Sequence, residues 1–199
     1  MRRVRYVANR VRRVFVSRCS WRNRNMVMCT MSRVAKVVLD RSQEITAHRV
    51  GLERTITRNA EVQDASNFGQ KYVNWHELVW QESEAAAAEI AVANYFGDYG
   101  FIPSIDNAHD TADVGENIEV KWTKHTNGHL ILQNRGPGRP NDVAVLVTGF
   151  SPVYVLLGWM PVHMAKQPRY KHPHQNNYWV PRSSLFEMQY LKRSNYGDV

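Results

Sequence analysis

Acidic residues are missing from the first part of this chain: none occurs between Met1 and Lys36, where arginine stands at ten positions from Arg2 to Arg33. Long apolar runs are missing throughout. No stretch approaches the ~20 consecutive apolar residues of a membrane-spanning helix, which excludes an integral helical membrane protein. Cysteine is scarce, and Cys19 and Cys29 alone cannot form a disulfide framework, so a reducing compartment is expected. What is present is core material: hydrophobic residues make up 43% and aromatics 11% of 199 residues, enough to exclude disorder over the whole length.

The net charge of +8 is unevenly placed. Residues 1–50 carry 13 Lys/Arg and 2 Asp/Glu (+11), whereas residues 51–199 carry 13 and 16 (−3). The body is slightly acidic, and the excess basicity lies in a leader taken as residues 1–40. A dense cationic segment repels itself and gains little from burial, so poor order is expected there. It could grip phosphate backbones, and its composition also resembles a mitochondrial transit peptide. Alternatively it is no part of the working protein, with Met26, Met28 or Met31 as the start.

Residues 41–199 are expected to form one α/β domain: a single mixed β-sheet flanked by helices. A short helix is predicted near Arg41–His48 and a longer one over Val73–Phe96, rich in alanine and stopped by Gly97. Predicted strands are Phe101–Ile105, Asn117–Thr123, His129–Asn134, Val143–Thr148, Val153–Trp159 and Tyr178–Val180. Asn127-Gly128 predicts a hairpin between the second and third of them.

The chemistry concentrates in Asp113-Val-Gly-Glu-Asn-Ile-Glu119-Val-Lys121-Trp-Thr. Strand alternation puts Ile118, Val120 and Trp122 on an apolar face and Glu119, Lys121 and Thr123 on the other. A turn at Gly115 would bring Asp113 beside Glu119. Two carboxylates suit a hard divalent cation such as Mg²⁺, and an adjacent lysine can orient an attacking water and balance phosphate charge. That equipment suits phosphodiester hydrolysis.

Asp113-x5-Glu119-x-Lys121 resembles the PD-(D/E)XK nuclease superfamily, and its surroundings resemble small phage- and prophage-encoded members. The relevant stretches are Ala85-Ala-Ala-Ala-Glu89-Ile-Ala-Val-Ala-Asn-Tyr95, Asp113-Val-Gly115, Glu119-Val-Lys121, Gly158-Trp159 and Tyr178-Trp-Val-Pro181. The resemblance spans about residues 75–188. Ala112 stands where the superfamily name has proline, and Arg135–Asp142 is too short for the usual helix between the third and fourth strands.

This resemblance implies a restriction-endonuclease-like fold and an Mg²⁺- or Mn²⁺-dependent deoxyribonuclease. It implies Asp113, Glu119, Glu89 and the Val120 carbonyl as metal ligands and Lys121 as the catalytic lysine. Glu82 and Glu84 are substitutes for Glu89, and Gln133 is a candidate for positioning phosphate or water. DNA is the implied partner, with no membrane and with a homodimer left open. The implied setting is the cytoplasm of a bacterial or phage-infected cell. Lys124, Arg135 and Arg139 are candidate backbone contacts, and His125 or His129 could approach a phosphate. His163, His172 and His174 lack zinc-site spacing and are expected to be surface residues. Two rival readings remain at this level: a non-catalytic protein that binds nucleic acid or a partner, and binding by the leader alone.

Overall fold

The computed structural model describes residues 34–58, 74–105, 111–134, 141–194 and 196. The expectations for residues 1–33, including both cysteines, and for Arg135 and Arg139 lie outside these residues. The fold is α/β, with the elements β1 (Ala35–Val38), α1 (Arg41–Arg58), α2 (Trp75–Phe96), β2 (Ile118–Thr123), β3 (Leu130–Gln133), β4 (Val143–Phe150), β5 (Val153–Pro161), α3 (Val162–Ala165), β6 (Asn177–Val180) and α4 (Met188–Leu191). The main sheet is mixed, in the order β1-β5-β4-β2, with β2 parallel to β4 and the other neighbours antiparallel. A second sheet pairs β3 with β6.

Local chemistry starts both long helices and ends the second. Asp40 Oδ1 accepts the backbone N–H groups of Ser42 and Gln43, while Gln43 Oε1 accepts that of Asp40, a reciprocal cap at the start of α1. Asn74 Oδ1 accepts the Glu77 N–H at the start of α2. Gly97, at φ +103°, ends α2 by donating to the Ala93 and Asn94 carbonyls. That left-handed conformation favours glycine.

The alanine run of α2 buries Ala86, Ala87, Ala88, Ala91 and Ala93 against Ile118, Val120, Val143, Val145 and Val147. Small side chains let the helix lie close to the sheet. On the opposite face Ala144, Leu146, Leu157 and Met160 pack with Leu130, Leu132, Val162 and Val180. The main sheet is thus covered by helices on one side and by the β3–β6 layer on the other.

Helix α1 crosses α2 at Gly51, where an added Cβ would lie 2.4 Å from the Ser83 backbone nitrogen and 2.6 Å from its Cα. Backbone cannot yield as a flexible side chain can. Gly51→Ala is therefore expected to cost ~1–3 kcal/mol of stability through overpacking, read as a lowered Tm in a circular-dichroism melt. An unchanged Tm would mean that α1 slides freely over α2.

Four expectations are corrected. The sheet takes up Ala35–Val38, so the folded unit begins before residue 40, because these residues complete the open edge of β5. Helix α1 runs on to Arg58, well beyond His48, because its second half packs on α2. Phe101–Ile105 is not a strand: Pro103 lacks the N–H that a ladder needs, and the Ser104 carbonyl accepts from Arg54. The hairpin at Asn127-Gly128 does not form. Gly128 N–H bonds the His125 carbonyl in a turn that leads the chain out of the sheet. The more apolar β4, buried from Val143 to Thr148, takes the place beside β2.

Candidate active site

Strand β2 is an edge strand, and the site is built on its outer border. Val114 and Ile118 exchange backbone hydrogen bonds of 3.0 and 3.2 Å around Gly115, which has φ +59°. Asp113 stands just before this isolated bridge, and its side chain turns onto the border of β2. The six-residue spacing is therefore that of a tight turn folding Asp113 back onto β2.

Asp113 Oδ2 accepts the Val120 N–H at 2.7 Å, so Asp113 closes part of the exposed edge. Within a strand, N–H and C=O of one residue point the same way, so the Val120 carbonyl also faces this border. Lys121 Nζ lies 2.9 Å from Glu119 Oε2 and 3.9 Å from Asp113 Oδ2. One ammonium thus bridges the two carboxylates. The side chains of Asp113, Glu119 and Lys121 are 11%, 26% and 38% exposed, so solvent reaches the group from one side.

Glu89 sits deeper, on α2. Both of its oxygens accept from Arg54, at 2.8 and 2.9 Å, and Arg54 Nε donates to the Ser104 carbonyl at 2.8 Å. Arg54 is 1% exposed. The field of this pair reaches the site: Asp113 and Lys121 act on Glu89, and Asp113 and Glu82 act on Arg54.

The protonation equilibria follow from this geometry. Burial raises Asp113, with Glu119 adding to the rise and Lys121 opposing it. For Lys121, burial acts downward, but Asp113 and Glu119 outweigh it and lift the amine above the ordinary lysine range. Lys121 is therefore an ammonium at neutral pH. Arg54 is likewise raised, burial being outweighed by Glu89.

Burial lifts Glu89 from 4.5 to about 7, with Arg54 opposing. A carboxyl whose folded pKa exceeds its unfolded one holds its proton more tightly in the native state. The stability it contributes is full below about 4.5 and is lost as the pH rises through about 7. Metal-free protein is thus expected to lose on the order of 3 kcal/mol across that window from this group. Urea titrations of wild type and Glu89→Gln check this, with a flattened slope expected in the variant; equal slopes would place the titration elsewhere.

Of the other predicted residues, Glu82 lies close enough to act on Arg54. Glu84 does not belong to the site: Glu84 Oε2 accepts the Tyr154 hydroxyl at 2.6 Å and the Ser151 N–H at 3.3 Å, tying α2 to the β4–β5 turn. Gln133 is also displaced, because β3 leaves the main sheet to pair with β6. Lys124, His125 and His129 are exposed in the turn after β2 and at the start of β3.

Two residues of the site were not anticipated. Arg54 is the lone cation on the otherwise small and apolar stripe Ala47, Val50, Gly51, and that interruption was its signal. Lys166, just past α3, lies within the field of Glu119 and Asp142; burial lowers its pKa and those carboxylates oppose. Nothing in its local sequence marks it, since α3 and β2 are distant in the chain.

Oxygen ligands from Asp113, Glu119 and the Val120 carbonyl suit Mg²⁺ or Mn²⁺, which one or two carboxylates plus waters commonly hold. The Lys121 ammonium already rests where a positive charge satisfies both acids. Among the described residues no group of three His, Cys, Asp or Glu side chains converges on a point that could hold an ion. The expected convergence of three carboxylates thus reduces to two, because Arg54 engages Glu89.

No family model, curated protein or solved structure matches the chain. Among the described residues no helix is long and apolar enough to cross a membrane.

Proposed function

We propose that the protein is a metal-dependent nuclease of the PD-(D/E)XK type that hydrolyses phosphodiester bonds in DNA, in the cytoplasm of a bacterial or phage-infected cell. The observation that carries this reading is the meeting of Asp113, Glu119 and Lys121 at the border of an edge strand, open to solvent on one side. Asp113, Glu119 and the Val120 carbonyl would hold Mg²⁺ or Mn²⁺. When bound, such an ion neutralises phosphate charge and acidifies a water.

The protein's own groups then do the positioning. Lys121, kept protonated by its two carboxylate neighbours, donates hydrogen bonds to the attacking water or a phosphate oxygen and offsets charge that grows in the transition state. A general-base role does not suit an amine whose pKa is raised. Buried behind it, the Arg54–Glu89 pair keeps α1 and α2 in place around the site. Lys166 adds a second cation on the Glu119 side.

Nicking of supercoiled plasmid tests the proposal. Wild type is expected to convert it to open-circular form with Mg²⁺ or Mn²⁺ and to stop when EDTA is added. DNA binding without nicking under either metal would instead leave a non-catalytic binding protein.

A further inference from the structure

The β3–β6 layer has an outer face that the proposed chemistry does not use. Leu130, Leu132 and Val180 point inward to the main sheet and are buried. By strand alternation Ile131, Gln133 and Trp179 point outward. Lys171 bridges Tyr178, and the His172 N–H donates to the Asn177 carbonyl, so residues 171–172 add a third lane beside β6.

Aromatic rings gather on this face. The Trp179 ring lies 4.8 Å from His172 and 5.5 Å from His129, and His174 is 6.2 Å from His172. Trp179 is partly exposed, and its Nε1–H is already bonded to Asn177 Oδ1 at 2.9 Å, which fixes the ring. The stretch of chain that runs through β6 carries charge of one sign. Residues 162–186 contain no Asp or Glu but include Lys166, Arg169, Lys171 and Arg182. Arg169, Lys171 and Arg182 are exposed, and the Arg169 guanidinium lies 4.6 Å from the Tyr170 ring. A zinc site on the histidines has no support, since among the described residues no three ligating side chains converge.

We infer that this face binds single-stranded nucleic acid, with bases stacking against Trp179, His172 and His129 and with Arg169 and Arg182 holding phosphates. Every base offers a π face to an aromatic platform, whereas bases inside a duplex are not free to stack on a sheet. The acid-free stretch fits a polyanion. The inference deepens the nucleic-acid part of the proposed function and does not depend on catalysis.

The test uses the full chain in EDTA with an oligothymidylate carrying 5-iododeoxyuridine, cross-linked by light and mapped by peptide mass spectrometry. Adducts on Trp179, His172 or His129 are expected. Trp179→Ala should weaken binding about tenfold, in line with the loss of one stacked base. Arg169→Glu with Arg182→Glu changes only exposed side chains and should weaken binding and lower the salt slope by about one to two. A duplex of equal length should compete poorly. Adducts confined to residues 1–33, or unchanged affinity and slope in the charge-reversed protein, would overturn the inference. Adducts on the platform in a protein that never nicks DNA would support it while removing the nuclease reading.

Discussion

Lys121→Ala is expected to lower the metal-dependent nicking rate by about 10²–10⁴-fold, the range associated with loss of a positioned catalytic group. Two causes combine. The attacking water loses a donor beside the scissile phosphate, and Asp113 and Glu119 lose the ammonium that now separates their charges at 3.9 and 2.9 Å. Relieved of that competitor, the carboxylates should bind Mn²⁺ at least as tightly as before. Metal affinity measured by calorimetry is therefore expected to hold or rise while turnover collapses. This pairing separates a catalytic lysine from a structural one, since mere unfolding would lower both. Turnover in Lys121→Ala within tenfold of wild type would refute the assignment.

Arg54→Leu carries the largest expected cost in stability, about 3–5 kcal/mol, because it strands the Glu89 carboxylate without its partner. The guanidinium now makes two bonds to Glu89 and one to the Ser104 carbonyl from a position 1% exposed. Glu89 can escape part of this cost by taking up a proton, so the deficit should shrink in acid and widen above about 7. The double variant Arg54→Leu/Glu89→Met should recover much of the loss, because apolar groups can fill the space of a buried ion pair without desolvated charge. Urea unfolding of the single and double variants decides the matter. If the double variant is no more stable than the single one, the pair is not the source of the effect.

The Asp113–Lys121 segment was legible because its geometry is local. A strand alternates its faces, and a turn at Gly115 is enough to bring Asp113 beside Glu119 and Lys121, so the three residues could be read together within nine positions. Helix α2 was legible for a similar reason, its alanines and Gly97 being local signals of extent and end. Apart from Phe101–Ile105, where Pro103 was a local signal against a strand, the errors concern partners. Gln133 and Glu84 carry suitable side chains, but their position depends on which strand pairs with which and on what α2 meets at the β4–β5 turn. Asn127-Gly128 has hairpin chemistry, yet pairing was decided by β4, whose longer buried run competes better for β2.

From composition and order alone came the α/β class, the division between a basic leader and a slightly acidic body, and the Asp113, Glu119 and Lys121 set. Tertiary structure alone decided that β3 and β6 form their own layer, that Lys166 comes near Glu119, and that Arg54 from α1 locks Glu89 on α2. The reason is one of range. Backbone alternation and turns act over a few residues, whereas an ion pair separated by 35 residues exists only because two helices pack at Gly51 closely enough to exclude water from it.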